Sequence, residues 1–191
     1  MFFIDGPGGS GKTHLYNVLI DTLESEGYVV LSFAPTGIAA AYLKKGKTFH
    51  SGFKLPFHIY EDSENLIAPA SDEALFLKVT DVILIEEISM VHKEILRCID
   101  TLMRQIPFVA YPDRNFSRFL FGGRIVVVGG DFRQILPVIP NGTKTEVIHN
   151  YVKNIFLWKL FEVHHLSTNM RSRGYNTFNK WLLDNGNKTT G

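Results

Sequence analysis

Gly6-Pro7-Gly8-Gly9-Ser10-Gly11-Lys12-Thr13 is the stretch that decides the fold. It fits G-x-x-x-x-G-K-[ST], the Walker A phosphate loop. Its flanks supply the context that motif needs. Phe2-Phe3-Ile4 is a short apolar run suited to a buried strand, and Asp5-Gly6 ends it. Beyond Thr13, the spacing of Leu15, Val18, Leu19 and Leu23 predicts an amphipathic helix. Glycines allow backbone N–H groups to turn inward around an anion, and the N-terminus of the following helix adds partial positive charge. Gly6, Gly8, Gly9, Ser10, Gly11, Lys12 and Thr13 are therefore the candidate nucleotide-binding residues. Lys12 is expected to reach the β- and γ-phosphates, and the Thr13 hydroxyl to ligate Mg²⁺.

Composition frames this reading. The 191 residues suffice for one well-buried domain, and 45% apolar residues suit a globular core. A formal net charge of +1 means that any nucleic-acid contact must come from a local patch rather than a global field. The single cysteine, Cys98, allows no internal disulfide and suits a reducing compartment; its helical apolar context predicts a core position. No run is long and apolar enough for a bilayer helix, and no secretory signal is visible, so no membrane partner is expected. Met1 leads almost directly into the first strand, so an adenine pocket is expected to be built elsewhere or to be missing.

The rest of the chain reads as further strand–turn–helix units, which predicts a doubly wound α/β fold. Residues 28–34 form a nearly continuous apolar run, broken by Pro35-Thr36-Gly37, and residues 38–43 are alanine-rich and helical. Residues 58–71 have no clear period. Asp81-Val82-Ile83-Leu84-Ile85 reads as a central strand running into Glu86-Glu87. Carboxylates at the C-terminal end of a buried strand suit a Walker B motif, because ligands bind at that edge of open α/β sheets. A helical stripe follows through Val91, Ile95, Ile99, Leu102 and Ile106. Residues 107–123 interleave Phe108, Tyr111, Phe116, Phe119 and Phe121 with Arg114 and Arg118. That composition fits a single-strand stacking platform or, equally, a loop that packs on another domain. Residues 124–128 are the next strand, followed by Gly129-Gly130-Asp131-Phe132-Arg133-Gln134. Residues 143–154 look helical, 161–166 form a further strand, and 175–184 a last amphipathic helix. Lys44, Lys45 and Lys47 make the best local cationic cluster, readable as a phosphate contact or as a solvated helix end. His164 and His165 would face opposite sides of a strand, so shared metal ligation is not expected.

Taken in series, these segments resemble the first RecA-like motor domain of the Pif (petite integration frequency) DNA helicases of superfamily one. The segments that carry the resemblance are 6–13, 34–40, 48–51, 86–90, 129–138 and 166–171. The long Gly129–Val138 run is similar to the Helitron-transposon variant. The resemblance implies a P-loop NTPase fold with a central, mainly parallel sheet flanked by helices. It implies ATP and single-stranded DNA as partners, Mg²⁺ as cofactor, and an intracellular, nuclear setting. Lys12 and Thr13 keep their roles. Glu87 matches the glutamate that activates water, Gln134 the glutamine that senses the γ-phosphate, and Arg171 an arginine that approaches it. Thr36, Gly37, His50 and Ser51 match segments that hold the DNA backbone. Glu86 stands where aspartate is usual for Mg²⁺; its extra methylene is expected to overshoot, weakening metal binding, with Glu86→Asp expected to raise turnover.

The resemblance covers residues 1–191 as a single domain. A second RecA-like domain, which would close over the nucleotide, is expected to be missing from this span. A lone first domain is then expected to bind nucleotide weakly, hydrolyse little and not unwind. Two rivals stand beside this reading: a fragment that folds and binds nucleotide without catalysis, and a P-loop small-molecule kinase.

Overall fold

The structure, a computed structural model, describes residues 1–56, 67, 71–109, 113–134, 143–172 and 181. Its centre is a six-stranded sheet in which every pairing is parallel. The strands are β1 (Phe2–Asp5), β2 (Val30–Ala34), β3 (Lys47–Thr48), β4 (Val82–Ile85), β5 (Ile125–Gly130) and β6 (Glu162–His165), in the spatial order β3-β2-β4-β5-β1-β6. All four residues of β4 are buried, as a strand covered on both faces requires. Alternation then divides the core in two. Phe3, Ile83, Ile85, Val126 and Val128 face one way, against Leu96, Ile99 and Met103 of helix α5 (Lys93–Gln105). Ile4, Val82 and Leu84 face the other, against Tyr16 and Ile20 of helix α1 (Lys12–Ser25).

Short helices fill the crossovers: α2 (Gly37–Tyr42), α3 (Phe49–Gly52), α4 (Asp72–Val79) and α6 (Lys144–His149). The expected doubly wound, parallel architecture is what forms. Cys98 lies buried in the core, as its helical context predicted.

Two local expectations are corrected and one open reading is narrowed. The 143–154 segment is not one helix. A capping box at Thr143 and Glu146 opens α6, which stops at His149, and a 3₁₀ turn covers Val152–Asn154. The Lys44–Lys47 cluster is not a free phosphate patch. Lys44 pairs with Asp21 and Lys45 with Glu24, both on α1, and the Lys47 ammonium lies 5.6 Å from the Phe76 ring centroid. The aromatic loop is largely turned inward: Phe108 and Phe121 are buried and Phe116 packs on both Phe108 and Phe119, while Phe119 is exposed. Arg124, just before β5, organises that packing and holds Phe108 beneath its guanidinium, 4.6 Å from the ring centroid. Apart from Trp181, which is helical and exposed, the expected 175–184 helix lies outside the described residues, as do Tyr111 and residues 135–138. No helix among the described residues is long and apolar enough to cross a membrane.

Candidate nucleotide site at the C-terminal sheet edge

Parallel pairing sets the C-terminal ends of the strands along one edge, and each candidate chemical group follows from a strand end. The phosphate loop follows β1 and opens α1 with Lys12 as its first residue. Gly9 and Gly11 adopt φ of +82° and +88°, values that side chains other than glycine's adopt rarely. At Gly9 the space is also closed. An added Cβ would lie 2.7 Å from Asn169 Oδ1 and 2.8 Å from Arg171 Cβ.

The Lys12 ammonium, on a largely buried side chain, donates to the Gly6 carbonyl at 2.6 Å and the Pro7 carbonyl at 3.3 Å. Burial lowers its pKa, opposed by the fields of Glu87, Asp131 and Glu86. The cation of the loop thus lies within the field of carboxylates from the ends of both β4 and β5. Thr13 Oγ1 donates to Glu86 Oε1 at 2.6 Å. Glu86 is 4% exposed; burial raises its pKa, and the Thr13 hydrogen bond pulls it back. The Glu86 carboxylate thus meets the Thr13 hydroxyl directly. Two hard oxygens side by side suit Mg²⁺. Among the described residues, no cluster of three His, Cys, Asp or Glu side chains offers a transition-metal site.

Glu87 takes a left-handed conformation at φ 55°, ψ 43°, and starts the 3₁₀ turn Ile88–Met90. The bend turns the chain out of β4 through a backbone conformation that residues other than glycine adopt at a cost.

The turn after β5 reaches the loop from the other side. Asp131 Oδ2 accepts from the Gly8 amide at 3.2 Å and from Gln134 Nε2 at 2.8 Å. Its Oδ1 accepts from the backbone amide of Arg133 at 3.1 Å and from Arg133 Nε at 2.7 Å. Burial alone would push the Asp131 carboxyl up. The Arg133 and Gln134 hydrogen bonds outweigh that, and its pKa is lowered. Arg133 also pairs with Asp5 at 3.2 Å. Beyond β6, the Met170 and Arg171 amides donate to the Gly9 carbonyl at 2.8 and 3.2 Å, and Asn169 Nδ2 donates to the Gly8 carbonyl at 3.2 Å. The structure thus brings Lys12, Thr13, Glu86, Gln134 and the Arg171 backbone to one loop.

Thr36, Gly37, His50 and Ser51 lie apart from it. They follow β2 and β3, which pair in register at Ala34 and Thr48. The Thr36 hydroxyl caps α2 by accepting from the Ala39 amide, and the Thr48 hydroxyl accepts from Ser51. Thr36, Gly37 and Ser51 are exposed and His50 is half-buried.

Asp131, Arg133 and Asn169 had been given no role from sequence. For Asp131 a signal existed: it ends β5 as Glu86 ends β4, at the same sheet edge. For Asn169 there was none, since its contact with Gly8 joins residues 161 positions apart.

Residues 1–190 match the model of the PIF1-like helicase family. The chain is 30% identical over 173 residues to an ATP-dependent DNA helicase Pif1 of Psychrobacter, covering 90% of this chain and 25% of that protein. A Bacteroides Pif1 helicase solved with ADP-AlF3 and single-stranded DNA superposes with a TM-score of 0.74 at 30% identity, over 93% of this chain and 40% of that one. The Candida albicans Pif1 helicase gives a TM-score of 0.77 at 28% identity, over 96% and 40%. This chain spans about a quarter of the Psychrobacter protein's length. With the strand ends, the phosphate loop and the Gly129–Gln134 turn in place, the match over nearly every residue leaves one assignment: the chain belongs to the PIF1-like helicase family.

Proposed function

We propose that this chain is the first motor domain of an ATP-dependent DNA helicase, binding ATP on residues 6–13 and single-stranded DNA along the same sheet edge. The observation that carries the reading is the convergence on one loop of a lysine, a hydroxyl–carboxylate pair and the Asp131–Gln134 turn. Phosphoryl transfer to water needs positioning and charge neutralisation rather than covalent chemistry. Loop amides and Lys12 bind the phosphates, Glu87 takes a proton from the attacking water, and Gln134 and Arg171 face the terminal phosphate. Thr13 and Glu86 would hold Mg²⁺, which would supply charge neutralisation for the phosphates. DNA would lie over Thr36, Gly37, His50 and Ser51, on the strand ends next to β4. Translocation needs a second motor domain, for which the length of the relatives beyond this span leaves room. Family membership leaves the small-molecule kinase reading without support.

Binding of a fluorescent ATP analogue tests this directly. Lys12→Ala is expected to weaken binding about 10- to 100-fold, the size of one lost charged hydrogen bond. Wild-type affinity in the variant, with its fold intact by circular dichroism, would sink the proposal.

A second test concerns the metal pair. Given the Thr13–Glu86 contact, Glu86→Asp withdraws the carboxylate from the hydroxyl. The Mg²⁺ concentration that half-saturates nucleotide binding is expected to rise about tenfold. A fall instead would restore the overshoot expected from sequence.

A further inference from the structure

We propose that Asp131 is a positioning residue that locks Gln134 to the Gly8 side of the phosphate loop, so that the loop and Gln134 move as one unit. The inference rests on the reading above, in which Gln134 reports on the terminal phosphate.

Four donors converge on this one carboxylate, which is 3% exposed. Oδ2 bridges the Gly8 amide and Gln134 Nε2, while Oδ1 takes two bonds from Arg133. Every partner is a donor. Only an ionised carboxylate accepts on both oxygens at once. An asparagine keeps its oxygen toward the cationic Arg133, which turns its NH₂ toward the Gly8 amide and Gln134 Nε2, so the isosteric replacement breaks the bridge between them.

The surrounding contacts make the bridge stiff. Phe132 is buried against Phe3 and Trp158, at ring-centroid distances of 5.5 and 5.2 Å, which fixes the turn in the core. Arg133 ties the same turn to Asp5, the last residue of β1. The segment leading into the loop is thus held through Asp5 and the loop itself through Gly8, by one three-residue turn. The fit at Gly8 is close: a Cβ there would lie 2.7 Å from Gln134 Nε2. A displacement of the Gly8 peptide by a terminal phosphate is therefore transmitted to the Gln134 amide through one shared oxygen.

The test is the ratio of affinities for a non-hydrolysable ATP analogue and for ADP, measured by calorimetry on the full chain with Mg²⁺. Asp131→Asn is expected to move that ratio toward unity by about fivefold, a coupling of ~1 kcal/mol, with ADP affinity changed less than about threefold. In a Gln134→Ala background Asp131→Asn is expected to do nothing more, because its effect runs through Gln134. Gly8→Ala, which pushes the Gln134 amide away and leaves Asp131 intact, is expected to give the same loss, and it decides alone if Asp131→Asn does not fold. A wild-type ratio already at unity, an unchanged ratio in the variants, or effects of Asp131→Asn and Gln134→Ala that multiply would each overturn the proposal. Failure of wild-type chain to bind nucleotide, or full binding by Lys12→Ala, would instead sink the motor reading itself.

Discussion

With a second motor domain supplied, Glu87→Gln is expected to reduce single-turnover ATP hydrolysis by about 10²- to 10⁴-fold, the range that a positioned general base supplies, while nucleotide affinity stays within about twofold. The separation follows from where Glu87 sits. It contributes no hydrogen bond to the loop's own architecture, whereas Lys12 and Thr13 bond to Gly6, Pro7 and Glu86. Glutamine keeps the size and the left-handed φ of 55° but cannot take a proton. Glu87→Gly makes the companion measurement. It removes the same carboxylate and relieves roughly 1 kcal/mol of backbone strain. It should therefore raise the urea midpoint while abolishing hydrolysis just as fully. A residue that costs stability in place and whose removal costs only turnover is one kept for chemistry. Should Glu87→Gln hydrolyse at the wild-type rate, Glu87 is not the base, and the fold serves nucleotide binding alone.

How far the sequence reached depends on the range of the interactions involved. The phosphate loop was legible because its glycines answer to local backbone geometry and its lysine to its own helix. The central strand and its terminal carboxylates were legible because burial on both faces imposes an apolar run on residues 82–85. Pairings between distant segments left no such mark. Lys44 and Lys45 read equally as a phosphate contact or a solvated helix end until α1 places Asp21 and Glu24 beside them. The aromatic loop reads equally as a stacking platform or as packing on another domain until Asp100 and Arg124 fold it back. The Thr13–Glu86 contact was hidden for a related reason: the length of a side chain is visible in sequence, but the position of the hydroxyl that meets it is not.

Arg124→Ala is expected to cost about 3–5 kcal/mol of folding stability, because it strips the donor from several buried carbonyls at about 1–3 kcal/mol each. Arg124 is 4% exposed. Its Nη1 donates to the carbonyls of Met103, Ile106 and Gly122, and its Nη2 to those of Leu77 and Pro107. Met103 lies in the last turn of α5, while Ile106 and Pro107 follow its end. These carbonyls fall where a helix leaves acceptors without intrahelical partners. One guanidinium therefore closes α5, joins it to α4 through Leu77, and sets the start of β5. Burial lowers its pKa to about 10, so the group remains charged at neutral pH. Next to it, Gly122 at φ +58° has no room for a Cβ, which would lie 2.1 Å from the Met103 carbonyl. The Phe121 amide is held by Asp100 at 2.6 Å. Arg124→Lys should recover less than half of the loss in urea denaturation, because a single ammonium with three donors cannot span five carbonyls arranged for a planar fork. Near-complete recovery by lysine would mean that charge at the helix end, rather than the bonded geometry, is what α5 requires. The nucleotide site should report the same event at a distance. β5 carries Asp131 at its far end, so a chain that retains its helices but lets β5 shift would lose nucleotide affinity before it loses secondary structure.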